Sequence, residues 1–397
     1  MGLTLPIFLE TVLFSVIGSV DVMMLSSYSD NAVGAVGVVN QILSLFQVIS
    51  NIITTGTGIL CAQYIGAGKT TGQKQPLILS ALLINGLLGV LFSLFTVFGS
   101  DFLLGFMNIS EELYIHAKPY LTIVGGFLFV QMITVTFTVV IRSHGNTSVT
   151  MVMSLIMNAI NVALNYILIH GKLGFAPMGA AGAAIATVVS KCVACVMAGS
   201  FLFWKVLPGM SLKPNFPQMG GSIRGILAYG APAAGEQISY VLSKLVVMAM
   251  VTSLDTVAVN TYSYVNTVVS YVYLFSMALG QGTSIIVGWE AGKKQVEQAK
   301  IICRFSVRLS FITAIAALAV LCLLRKPLMG LFTNDAQIIA MATTVLLTDF
   351  VLEAGRSRNL VLVSALRAAG DVRFPLYIGL FSMWFFSVGV SCLLLPS

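Results

Sequence analysis

The chain has 397 residues, of which 57% are hydrophobic and only 9% charged, with a mean hydropathy of +0.96. A soluble domain carries about 25% charged residues, so a soluble enzyme or binding module is excluded and an all-α polytopic membrane protein is implied. The net charge is +7, and its placement along the chain carries more information than its sum.

Eleven apolar runs are long enough to cross a hydrocarbon core of about 30 Å. They fall near residues 3–26, 38–62, 76–100, 118–141, 149–170, 178–203, 226–252, 257–289, 305–324, 338–365 and 373–396. The first is not a signal peptide, because it lacks a basic leading region and contains Glu10 and Asp21. The run at 257–289 is long and must tilt or extend into solvent. With the N-terminus in the cytoplasm, inside connections hold 13 Lys and Arg and outside connections four. That asymmetry sets the orientation of a multi-pass protein in the plasma (inner) membrane. It also accounts for the basic excess without nucleic acid. The six Cys all lie in apolar stretches, so no disulfide framework is implied. Cys192 and Cys195 form a CxxC along one such stretch and read as small packing residues. The three His are scattered without metal-ligand spacing and no Walker A sequence is present. Neither a metal nor a cofactor is expected, and ATP does not drive this chain alone.

The sequence repeats itself. "PIFLE" (residues 6–10) is echoed by "PAAGE" (232–236), an offset of 226. "GAGKTTGQK" is echoed by "EAGKKQVEQ", pairing Gly68 and Lys69 with Gly292 and Lys293 at 224. "IRSHGNTSVT" is echoed by "LRAAGDVRFP", pairing Arg142 and Gly145 with Arg367 and Gly370 at 225. A duplicated unit of about six helices predicts two parallel, pseudo-symmetric six-helix bundles, a plan shared by many secondary transporters. We divide the chain into an N-lobe at 1–204 (spans one to six), a Pro- and Gly-rich cytoplasmic linker at 205–224 and a C-lobe at 225–397 (spans seven to eleven).

Five acids fall inside predicted spans: Glu10, Asp21, Glu236, Asp349 and Glu353. Each costs about 2.5–3.5 kcal/mol on insertion scales and should face a cavity or a partner. Glu10 and Asp21 are eleven residues apart, about 20° past three helical turns, and so share one face. Asn161 and Asn165 are i,i+4 on the fifth span, and Thr187 opens the sixth at similar outer depth. Together with Asp21 they offer one carboxylate and several neutral oxygens, which suits Na⁺ or a proton. The alternative for the three neutral residues is interhelical hydrogen bonding. Lys191 lies at nearly the depth of Glu10, which predicts a Glu10–Lys191 ion pair with a gating or structural role.

On the tenth span Asp349, Glu353 and Arg356 fall at about 0°, 40° and −20° around the axis, one stripe. Depth places Glu236 near them, which predicts a cluster of three acids partly neutralised by Arg356. Such a group cannot ionise fully at low cost, so one member should hold a proton. The alternative is a static salt-bridge network. Glu236 is thereby the better candidate for a proton or drug ligand than Glu10. The counterpart of Asp21 at 226 is Val247, so the second copy has lost that carboxylate. Tyr262, Tyr264, Tyr271, Tyr273 and Phe275 on the eighth span, with 18 Met in the chain, could line a drug path.

The stretches "PIFLETVLFSVIGSVDVMMLSSYSDNAVGAVG", "IRSHGNTSVT", "NAINVALNYILIHGKLGFAPMGAAGAAIATVVS" and "LRAAGDVRFP" resemble the multidrug and toxic compound extrusion (MATE) family. The resemblance covers essentially the whole chain. It implies antiport of organic, often cationic, compounds against H⁺ or Na⁺ and a cation site matching Asp21, Asn161, Asn165 and Thr187. Some members carry Asp on the fifth span where this chain has Asn165. The family's seventh-span acid lies a turn after Glu236, and Arg356 occupies about the place of its tenth-span acid. Twelve spans are implied against the eleven counted here. A monomer rocking between inward- and outward-open states, with drug and ion competing for buried acids, is the expected mechanism. A flippase for lipid-linked saccharides is the alternative, and buried acids outnumber buried bases five to four against it.

Overall fold

The computed structural model describes residues 2–394 except 212, 214, 215, 254, 331, 332 and 334, with backbone alone at 326 and 394. Parts of two expectations therefore lie outside the described residues: 212, 214 and 215 of the linker, and the end of the eleventh run. The described residues are helical and contain no strand.

In chain order the helices are α1 (Thr4–Ser26), α2 (Asp30–Gly66), α3 (Thr71–Phe98), a short α4 (Ser100–Phe106), α5 (Glu111–Gly126), α6 (Leu128–Ser143), α7 (Thr147–His170) and α8 (Gly179–Phe201). The second half repeats the order with α9 (Phe216–Thr252), α10 (Thr256–Gly292), α11 (Val296–Leu323), a short α12 (Arg325–Gly330), α13 (Ala336–Ala369), α14 (Arg373–Phe381) and α15 (Val390–Leu394). π-helical turns continue α8 and join α14 to α15. Each of the eleven predicted runs falls on a helix or, for the fourth, on the bent pair α5–α6. The long helices α2, α9 and α10 have 37 residues each, about 55 Å, so they outrun the hydrocarbon core.

The bend of 48° between α5 and α6 has a local cause. Gly125 and Gly126 stand at the break, and a Cβ on Gly125 would lie only 2.6 Å from Thr96 Oγ1 on α3. The two helices touch so closely there that only glycine fits. The second copy has Phe350 and Val351 at an offset of 225, and α13 runs through unbroken.

The helix ends fix the register of the repeat. Ser29 caps α2 by accepting from Ala32 N at 3.4 Å, and Asp255 caps α10 by accepting from Ala258 N at 2.6 Å. Three backbone bonds close α2 (Ala67 to Gln63, Gly68 to Ile65, Lys69 to Tyr64), and three close α10 (Lys293 to Trp289, Lys294 to Ala291, Gln295 to Glu290). These match at an offset of 226 throughout. The sequence pairing of Gly68 with Gly292 at 224 is thus two residues out. Gly68 corresponds to Lys294, and both hold positive φ, at 68° and 61°. The Arg142/Arg367 register holds at 225: Gly145 (φ 87°) and Gly370 (φ 108°) close the same turn.

The chain divides into two compact units, Leu9–Gly230 (the N-unit) and Met1–Phe8 with Ala231–Ser397 (the C-unit). The division departs from 1–204 and 225–397 at two places. The first eight residues belong with the C-unit, where Ile7 packs with Ala278 and Ile285. The start of α9 belongs with the N-unit, where Gly230 meets the Ile52 carbonyl and Ile226 joins a core with Ile53, Ile78, Ile141 and Leu202. Residues 216–224 of the expected linker are the first turns of α9. A second N-unit core surrounds Leu25, Val39, Leu121 and Ile169. The main C-unit core surrounds Val265, Val269, Leu318 and Leu346.

Candidate functional site

In the N-unit the fifth predicted span is α7, and its i,i+4 amides do share a face. Asn165 Nδ2 donates to Asp21 Oδ1 at 2.8 Å and to Asn161 Oδ1 at 3.2 Å. With the Asn161 amide turned over, its nitrogen sits 3.0 and 3.2 Å from the two Asp21 oxygens. Both amides are buried, and Asn165 Oδ1 has no partner among the described residues. Thr187 on α8 hydrogen-bonds the hydroxyl of Tyr120, whose buried ring lies within the field of Asp21. The structure thus brings Asp21, Asn161 and Asn165 into direct contact and places Thr187 beside them through Tyr120. Sequence reasoning missed Tyr120, which reads as an ordinary core aromatic of α5.

The predicted Glu10–Lys191 pair does not form. Glu10 is 4% exposed and pairs with Arg142, Nη2 to Oε2 at 2.6 Å. Ser154 donates to Glu10 Oε1 at 2.6 Å, and the Thr150 hydroxyl, whose one proton is shared with the Thr147 carbonyl at 2.9 Å, reaches Oε2 at 3.4 Å. Arg142 Nε donates in turn to Thr150 Oγ1 at 3.2 Å. Lys191 has no ion pair among the described residues and lies half-buried on α8. Matching depth alone brought Lys191 into consideration. Depth leaves the azimuth of α8 free, and the guanidinium at the end of α6 takes the carboxylate.

In the C-unit the predicted four-residue cluster separates into two. Glu353 is fully buried and accepts from Arg356 Nη1 at 3.1 Å. Arg356 lies over the Tyr273 ring at 5.1 Å. Asp349 sits in the field of Arg356 and Lys244, and its Oδ2 is buried without a partner among the described residues. Glu236 is absent from this group. It pairs instead with Arg367, Nη2 to Oε2 at 2.6 Å. Arg367 follows Glu353 by 14 residues on one unbroken helix, about 21 Å along the axis. That separation is why Glu236 joins no acidic cluster.

The two arginines are the residues that sequence reasoning missed, although the repeat had already named them. Glu10 matches Glu236 and Arg142 matches Arg367, so a contact in one copy implies the other. His144 belongs to the same end of the N-unit. Its Nδ1 bonds the Val140 carbonyl at 2.8 Å, and its Nε2 faces Lys74 Nζ at 3.1 Å. Burial and the Lys74 charge push its pKa down to about 4, so the ring is neutral at physiological pH.

A cavity of about 500 Å³ opens between α9 and α10, within the C-unit. Tyr262 and Tyr273, two of the five aromatics expected on a drug path, line it with Tyr240, Lys244, Met248 and Asn266. Tyr264 packs instead against the core, Tyr271 is exposed, and Phe275 meets Phe8 edge-on at 5.3 Å between centroids.

A sequence profile of the MatE family matches residues 6–167 and again 232–393, the two copies of the repeat. The uncharacterized transporter YisQ of Bacillus subtilis is 36% identical over 385 residues, covering 96% of this chain and 84% of its own. The probable multidrug resistance protein NorM of Mannheimia succiniciproducens is 26% identical over 403 residues, covering 99% and 84%. Among solved structures, an outward-facing multidrug resistance MATE transporter superposes with a TM-score of 0.87 at 19% identity, covering 99% of this chain and 87% of that one. A MATE in the bent conformation gives 0.88 at 19% identity, covering 98% and 85%. With an all-helical fold, buried carboxylates in both copies and a family match over both repeats, the chain belongs to the MatE family of multidrug and toxic compound extrusion transporters.

Proposed function

We propose that the protein exports small organic compounds across the plasma (inner) membrane in exchange for H⁺ or Na⁺ by alternating access, as a monomer with its N-terminus in the cytoplasm. The observation that carries this reading is Asp21, held by Asn165 at 2.8 Å with the Asn161 amide in reach. A lone carboxylate among neutral oxygens takes up a proton or a hard monovalent cation, and needs no resident metal. The multidrug resistance relatives support the substrate class, and the bias of Lys and Arg supports the orientation. Ion and solute each shift the inward–outward equilibrium only by their differential affinity for the two states. Asp21 is therefore the coupling group, and its occupancy must differ between states.

The test is efflux of a fluorescent solute from proteoliposomes, driven separately by a pH gradient and by a Na⁺ gradient. Asp21→Asn should insert at wild-type levels and lose gradient-driven export, because the amide neither titrates nor carries charge. Full export by that variant would refute Asp21 as the coupling site.

A further inference from the structure

We propose that the cavity between α9 and α10 is a substrate subsite, and that it selects aromatic solutes bearing an acidic group such as a carboxylate. This reverses the charge expected from family resemblance, and it rests on the efflux reading only for its physiological meaning.

The lining decides the charge. Lys244 is the one charged residue among the described lining residues. Its ammonium has three donors, and one of them makes a single long bond, 3.4 Å to Asn266 Oδ1. No salt bridge satisfies it: Asp349 acts on it only at longer range. The other acid of that stripe on α13, Glu353, is fully buried and engaged with Arg356. The hydroxyls of Tyr240, Tyr262 and Tyr273 also have no partner among the described residues. The cavity therefore offers spare donors and no carboxylate.

The lining also selects shape. Three tyrosine rings and Met248 provide flat, adaptable apolar surface. Arg356 stacks over Tyr273 at 5.1 Å and adds positive potential at that wall. An acid on an aromatic body can place its oxygens at Lys244 while its ring lies against tyrosine. An organic cation would meet the ammonium directly and find no carboxylate. The N-unit has no equivalent: at 226 the counterparts of Tyr240, Lys244 and Tyr273 are Phe14, Gly18 and Gln47. The subsite thus belongs to one copy alone.

The test uses two xanthene dyes of similar shape and opposite charge, carboxyfluorescein and rhodamine 6G. Binding to the purified full-length protein is read by fluorescence polarisation. The wild type should bind carboxyfluorescein at least about 10-fold more tightly. Lys244→Gln should erase that preference by weakening carboxyfluorescein about 10-fold, the loss of one charge-assisted hydrogen bond. Lys244→Arg should keep the preference, and Tyr240→Phe should weaken carboxyfluorescein by a smaller factor. The last two variants carry the test if Lys244→Gln does not elute as a folded species. Equal or tighter binding of rhodamine 6G, or an unchanged carboxyfluorescein affinity in Lys244→Gln, overturns the proposal. Binding with the stated preference but without gradient-driven efflux sinks the antiport reading alone. Efflux without charge preference sinks this one alone.

Discussion

Glu10–Arg142 and Glu236–Arg367 are one contact built twice, with guanidinium and carboxylate 2.6 Å apart in each copy. Their surroundings differ. In the N-unit both carboxylate oxygens are occupied, by Ser154 on one side and Arg142 with Thr150 on the other, and Arg142 Nε also has Thr150. In the C-unit the matching residues are Pro375 and Gly379. Gly379 presents bare backbone, so close that a Cβ there would lie 3.2 Å from Glu236 Cγ. Arg367 Nε is buried with no partner among the described residues. Both copies keep the pair, and only the N-unit has the hydroxyls that saturate it. A buried ion pair is stable only when its remaining donors and acceptors are satisfied, so the two copies of this contact should differ in strength.

The largest effect comes from breaking the pair itself. Glu10→Ala removes the carboxylate paired with a largely buried guanidinium and should cost about 3–5 kcal/mol of stability. Glu236→Ala loses the same charge contact but two fewer hydroxyl bonds, so its cost should be smaller by about 1–2 kcal/mol. Thermal unfolding of the purified variants in detergent measures both. A larger loss for Glu236→Ala would break the comparison.

Much of this was legible in the chain itself. The spans are visible because a bilayer demands long apolar helices, and the repeat is visible because caps and turns constrain residue type. Asp21, Asn161 and Asn165 could be grouped because i,i+4 spacing fixes a face. The partners of Glu10 and Glu236 do not follow from depth, because depth along a span follows from counting, whereas helix azimuth is set by packing. Lys191 matches Glu10 in counted depth, yet Arg142 takes the carboxylate. Counted depth places Glu236 beside Asp349 and Glu353, whereas the repeat points to Arg367, 14 residues beyond Glu353 on α13. The bend at Phe127 was hidden because Gly125 and Gly126 are unremarkable until Thr96 is placed against them. The α9–α10 cavity was invisible for a similar reason. Lys244 reads as one more intramembrane charge until Asn266 and three tyrosines surround it.

His144 offers a second, smaller contrast, because its counterpart at 225 is Ala369. The unfolded ring titrates near 6.5 and the folded one near 4. Between those values the unfolded state binds more protons, so stability is full above about 6.5 and falls as pH drops toward 4. Lowering the pH from 7 to 5 should cost about 2 kcal/mol through this ring. His144→Gln should flatten the dependence while keeping a group able to face Lys74. An unchanged slope in that variant would move the pH sensitivity elsewhere.

The smallest effect is the most specific, because it tries to give the C-unit what the N-unit has. Pro375 lies in the first turn of α14, where a proline contributes little that another residue cannot supply. Pro375→Thr puts a hydroxyl where Thr150 stands in the other copy, within reach of the unpartnered Arg367 Nε. The new bond should stabilise the protein by about 1 kcal/mol. Thr150→Val makes the reverse change and should cost about 1–2 kcal/mol, since it removes one hydrogen bond each from Arg142 Nε and Glu10 Oε2. If Thr150→Val destabilises while Pro375→Thr does nothing, the Arg367 Nε is already satisfied by solvent. The difference between the copies would then lie in hydration rather than in lost hydroxyls. If both shifts appear with opposite signs, Thr150 and Pro375 account for the divergence of the two pairs.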